Sequence, residues 1–154
     1  MFDAELMKKA IATARKGILA GDGGPFGSIV VRDGEVIGMG HNKVLKEHDP
    51  VRHGEIVAIE QACDKIGSYD LSGCELYTTG EPCTMCLCAC LWANIKRVYY
   101  GCTIHDNAKI GFRDEKFDRI FSRERLPKNF LVQGGREECL KLFDEYYQMK
   151  SEKY

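Results

Sequence analysis

Two short runs, well separated along the chain, constrain it more than any other feature: His53-Gly54-Glu55 and Glu81-Pro82-Cys83-Thr84-Met85-Cys86. One imidazole and two thiolates supply three donors of a tetrahedral zinc site, His53, Cys83 and Cys86, and leave the fourth position to a water. Any fold that serves them must bring both runs to one point. Pro82 suits a helix start, and Cys83 and Cys86, three residues apart, then share one face of its first turn. His53 precedes an apolar-periodic run, Ile56, Ile59, Cys63 and Ile66, which predicts a second helix. Both ligand sets therefore stand at helix N-termini, where unpaired N–H groups and the positive dipole end favour thiolates. Two such helices on one sheet can meet at a single ion.

Glu55 lies two residues beyond His53. A neutral imidazole and two thiolates cancel the charge of Zn²⁺, so the ion acidifies its water less than an all-histidine site would, and a neighbouring base has more to do. Glu55 is placed to take the proton from that water and return it to substrate and leaving group. A Cys-x-x-Cys pair alone also occurs as a structural zinc knuckle or a redox pair. The His-x-Glu, the proline before the first cysteine and the two helix contexts together point instead to an open, catalytic site.

The chain has 154 residues, enough for one domain with a proper core. No segment approaches a membrane span, and Asp3 and Glu5 interrupt the N-terminus where a signal peptide would need an apolar run. The expectation is a cytoplasmic protein with reduced thiols rather than a disulfide framework, although there are eight cysteines. A net charge of −1 argues against a nucleic-acid surface.

Residues 3–19 read as an amphipathic helix with Leu6, Ala10, Ile11, Ala14 and Ile18 on its inner side. Strands are expected at 26–31 and 36–39, joined through Asp33-Gly34, a strong hairpin signal. Asn42 follows the second strand, where it can either offer donor and acceptor to a base edge or serve as a turn residue. His41 and His48 read as exposed loop residues. A helix over 54–65, a strand over 74–79, a helix over 84–93 that is apolar nearly all round and so buried, and a strand over 97–101 complete a parallel crossover. Trp92 on that helix reads equally as core or as pocket, and Cys88 and Cys90 as small core residues. Residues 103–114 read as irregular and positioned to overhang the site. A short fifth strand is expected at 130–133 and a last helix at 137–149, with Leu140 inward. The fold class is α/β, a three-layer α/β/α arrangement with about five strands in a mixed sheet and helices on both faces.

His-x-Glu followed by Pro-Cys-x-x-Cys is the signature of the zinc deaminases, in which the glutamate is a general acid/base and not a ligand. The chain resembles the cytidine deaminase-like superfamily over most of its length, and within it the small bacterial guanine deaminases most closely. The narrower likeness rests on Gly23-Gly24-Pro25-Phe26-Gly27, Asp49-Pro50, Gly111-Phe112-Arg113-Asp114 and the ending Lys153-Tyr154. Adenosine deaminases acting on tRNA share Pro25, Gly27, Asn42, Asp49-Pro50 and both metal motifs. The resemblance implies one Zn²⁺ per subunit and hydrolysis of the guanine amino group to xanthine and ammonia. It implies Glu55 as main proton shuttle, Asp114 as second catalytic carboxylate, Asn42 on the purine edge, and Phe26 and Phe112 against the ring. It also implies a homodimer in which residues 134–154 cross to the neighbouring subunit and Tyr154 closes the pocket. Gly54 stands where the family commonly has Ala, which leaves its backbone N–H free to approach the ligand and bears on pocket size. The competing expectations are a deaminase of tRNA adenosine, cytosine or another amino-heterocycle and, outside enzymes, a structural zinc module.

Overall fold

The computed structural model describes residues 2–121 together with 136 and 140. Contacts divide the chain into two units, residues 1–118 and 119–154, and every described element belongs to the first except for the end of the last helix. Helix α1 (Ala4–Leu19) starts where the Asp3 carboxylate accepts from the amides of Glu5 and Leu6. Strands β1 (Gly27–Arg32) and β2 (Glu35–His41) form the expected hairpin. Asp33 and Gly34 both take positive φ, 51° and 82°, as a type I′ turn requires. A single turn, α2 (Val44–Glu47), interrupts the polar loop before α3 (Gly54–Ile66), which ends on Gly67 at φ 67°. Then follow β3 (Glu75–Gly80), α4 (Thr84–Trp92) and β4 (Arg97–Cys102). A short helix, α5 (Ile104–Lys109), lies within the stretch expected to be irregular, and another, α6 (Asp114–Ile120), begins at its end.

The strand order is β2-β1-β3-β4, with β1 antiparallel to both neighbours and β3 parallel to β4. Alternation along the strands splits the core. Ile29, Val31 and Tyr77 pack with Leu6 and Ala10 of α1 on one face, while Val30 and Leu76 pack with Ala58, Ala62 and Cys90 on the other. The three-layer mixed sheet is therefore present with four strands among the described residues. The predicted fifth strand and the last helix fall outside them, apart from Leu140, which is exposed rather than inward.

Two helices sit differently from expectation. In α1 the buried stripe is Leu6, Ala10, Ala14 and Gly17, while Ile11 and Ile18 are exposed. A Cβ on Gly27 would meet the backbone of Ala10 and Ala14, so α1 rests on its smallest residues and the bulkier ones lie beside the contact. In α4, Cys86 and Cys90 are buried, but Leu87, Leu91 and Trp92 are exposed, Trp92 at 67%. An apolar surface all round cannot say which side meets the sheet, and Trp92 does not join the core.

Helix α3 lies on β2 through glycines: a Cβ on Gly40 would stand 2.6 Å from the Gly54 carbonyl, and one on Gly54 would stand 2.9 Å from that of Phe26. Backbone meets backbone, which sets the N-terminus of α3 down beside the strand ends. Because β1 runs antiparallel, its start at Gly27 lies beside His41, and Gly80 beside Cys102. One edge of the sheet thus collects the start of β1 and the ends of the other three strands.

Candidate active site

At that edge the starts of α3 and α4 converge. His53 and Cys83 are the residues immediately before the two helices, with extended backbones and no side-chain capping bond, so their side chains are free for another task. His53 Nδ1 lies 3.6 Å from Cys83 Sγ and 3.5 Å from Cys86 Sγ. A tetrahedral zinc with bonds of about 2.0–2.1 Å to nitrogen and about 2.3 Å to sulfur has an N···S edge of about 3.6 Å, so the donor set fits the ion in both chemistry and spacing. Among the described residues no other three His, Cys, Asp or Glu donors come together in this way.

The electrostatics agree. The Cys83 thiol is drawn down to about 4, first by a hydrogen bond from Cys86 and then, against burial, by His53. Cys86, donor of that bond and buried, is pushed up, and His53 is raised, chiefly by Cys83. Three groups share protons that a divalent cation would displace. Glu55, 5% exposed, is pushed above the ordinary carboxylate value, first by desolvation.

These residues open onto a cavity of about 780 Å³. Phe26 and Phe112 meet edge to face in its wall, with centroids 4.7 Å apart and planes at 82°. Gly24 lies against both rings, where a Cβ would stand 2.9 Å from Phe112 Cε1 and 3.0 Å from Phe26 Cε2. Asn42, 5% exposed, takes the expected turn role, with Oδ1 accepting from Val44 N at 3.1 Å, and it also lines the cavity. Among the described residues its amide nitrogen has no partner, which leaves two N–H donors for a ligand. Asp114 also lines the cavity, at the start of α6.

Two other expected residues do not line the cavity among the described residues. Gly54 is not part of the cavity wall; its Cα faces the carbonyls of Phe26 and Gly40, so it serves helix-on-sheet packing. Trp92 is on the exposed side of α4 and is not among the described residues that line the cavity, and Tyr154 lies outside the described residues. His41 is no exposed loop residue, since its Nε2 lies 2.7 Å from the carboxylate of Asp22 and its side chain is 13% exposed.

Sequence reading passed over Asn107. It is 2% exposed, lines the cavity and donates from Nδ2 to Asp114 Oδ2 at 3.1 Å. It rides on α5, which begins with a capping box: the Thr103 hydroxyl accepts from Asp106 N, and the Asp106 carboxylate accepts from Thr103 N. Thr103-Ile104-His105-Asp106 carries that pattern and would have located the helix. Glu81 steadies the same turn by accepting from Ile104 N at 2.9 Å.

Comparison with known proteins identifies the family. The model of the cytidine and deoxycytidylate deaminase zinc-binding region matches residues 1–102. A guanine deaminase of Bacillus subtilis is 46% identical over 108 residues, spanning 70% of this chain and 69% of the relative. A tRNA-specific adenosine deaminase of Haemophilus influenzae is 34% identical over 152 residues, spanning 98% of this chain and 86% of the relative. The X-ray structure of guanine deaminase from Bacillus subtilis superimposes with a TM-score of 0.89 at 37% identity, covering 100% of this chain and 99% of that one. With the His53, Cys83 and Cys86 cluster at the helix starts and Glu55 buried beside it, these matches show that the chain belongs to the cytidine and deoxycytidylate deaminase zinc-binding family and has its fold.

Proposed function

We propose that this protein is a zinc-dependent guanine deaminase that hydrolyses guanine to xanthine and ammonia, with His53, Cys83 and Cys86 as metal ligands and a water as the fourth. The observation that carries the reading is the buried Glu55 in the wall of the cavity, beside a donor cluster of zinc dimensions. The ion, when bound, supplies Lewis-acid activation of that water. Glu55 holds the proton the water gives up and returns it to the ring nitrogen. Asp114, held by Asn107, takes the second proton from the hydroxyl now on the ring carbon and passes it to the departing amino nitrogen, so the two protonations need not pass through one carboxylate. Asn42 donates to the purine edge, Phe26 and Phe112 flank the ring, and water and guanine become xanthine and ammonia with no redox partner.

The Bacillus relative supports guanine as the ring. The functional unit we propose is a cytoplasmic homodimer, exchanging residues 134–154 so that Tyr154 closes the partner's pocket. The exposed Leu87 and Leu91 on α4 give such a dimer an apolar surface, and the seven described cysteines, all free, suit a reducing compartment. The test is ammonia release from guanine by zinc-loaded protein, with Glu55→Gln alongside. Release should fall about 10²–10⁴-fold in the variant while zinc stays bound. Guanine left intact by the wild type would overturn the substrate, and turnover of tRNA adenosine or cytosine would replace it.

A further inference from the structure

Behind the cavity wall that carries Asn42 lies a buried knot of charge that the proposed chemistry does not use. Asp22, 6% exposed, follows α1, and its Oδ2 lies 2.7 Å from His41 Nε2 and 3.4 Å from Lys46 Nζ. His41 and its bond hold the Asp22 carboxyl below the ordinary carboxylate value. The backbone takes part as well. Asp22 N donates to Gly17 O, and Asp22 O accepts from both Leu45 N and Lys46 N, each at 3.1 Å. One residue therefore ties the end of α1 to the end of β2 and to the single turn of α2. The site is built for the histidine, since a Cβ on Gly17 would collide with its ring.

The chain on either side of this knot is the cavity wall. Gly23 follows Asp22, Asn42 follows His41, and Leu45 precedes Lys46; all three line the cavity. Gly23 and Asn42 also touch, because a Cβ on Gly23 would run into Asn42 Oδ1. A displacement of Asp22 would thus be transmitted to the Asn42 amide through two routes, along β2 from His41 and across from Gly23.

We infer that Asp22 and His41 are positioning residues that orient Asn42 and so govern how tightly the ring is bound. This rests on the role given to Asn42 in the proposed function, yet its test reads binding and not the identity of the ring. Asn42 contacts ground state and transition state alike, so loosening it should raise KM and leave kcat near its value. Lys46, half in solvent at 56% exposed, adds little.

The experiment compares wild type with His41→Phe, which keeps a ring against Gly17 and removes the nitrogen, and His41→Gln, which keeps a nitrogen donor. The substrate is guanine, or whichever amino-heterocycle the wild type deaminates should guanine fail, so a wrong ring and a wrong role for the pair give different results. His41→Phe should raise KM about 10-fold with kcat within about twofold, and His41→Gln should restore KM to within about threefold of wild type. Asp22→Ala should reproduce the KM effect, and it decides the matter if His41→Phe does not fold. Wild-type KM in folded His41→Phe or Asp22→Ala overturns the inference. So does a lowered melting temperature with an unchanged KM, which is what a purely structural pair would give.

Discussion

Removing the amide of Asn107 should be felt at Asp114. The bond between them, 3.1 Å and partly buried, is what orients that carboxylate toward the cavity, and Asn107→Ala leaves it free to rotate. We expect kcat to fall about 10-fold with a smaller change in KM, the reverse of the pattern at His41, as steady-state kinetics would show. Asp22 makes a prediction about pH. Its folded-state pKa lies below the ordinary aspartate value of 3.8, so it adds stability above that value and loses it as pH falls through the folded one. The urea midpoint of wild type should exceed that of Asp22→Asn at pH 7, and the difference should close on titration below pH 3.8.

The two helices that deliver the ligands are held by unlike means. Helix α4 presents Cys86 and Cys90 to the core with apolar side chains around them, whereas α3 has no room for side chains where it crosses β2. A methyl on Gly40 would press on the carbonyl of Gly54, the residue between His53 and Glu55, and backbone cannot rotate away as a side chain can. Gly40→Ala should cost about 1–3 kcal/mol of stability by overpacking and should weaken zinc binding, because relief comes by lifting the helix that carries His53. Denaturation together with a zinc competition assay would register both effects. Helix α5 depends on its capping box, which suits an element that shapes a wall rather than holds an ion.

Zinc held by His53, Cys83 and Cys86 would join α3 to α4, so stripping it with a strong chelator should lower the melting temperature of the whole unit, and adding zinc back should restore it. That frame was the legible part of the chain. His53, Glu55, Cys83 and Cys86 announce themselves by spacing, Asp33-Gly34 by its turn chemistry, and the order of helices and strands by periodicity. Less could be read where a side chain's meaning depends on a distant partner. Asn107 gains its role only from Asp114 and His41 only from Asp22, and Trp92 sits on a helix apolar on every side, whose inward face is chosen by the sheet. Gly54 looked like part of the binding site from its neighbours in sequence, but its Cα faces the strands. The glycine contact between α3 and β2 also divides the molecule for anyone who would alter it by selection. Variation at Gly38 and Gly40 has almost nowhere to go, since each added atom strikes the main chain, while Leu45, Arg113 and Phe117 line the cavity from short helices and the loop between them. Libraries placed in that outer wall can explore new rings on a metal frame that stays still.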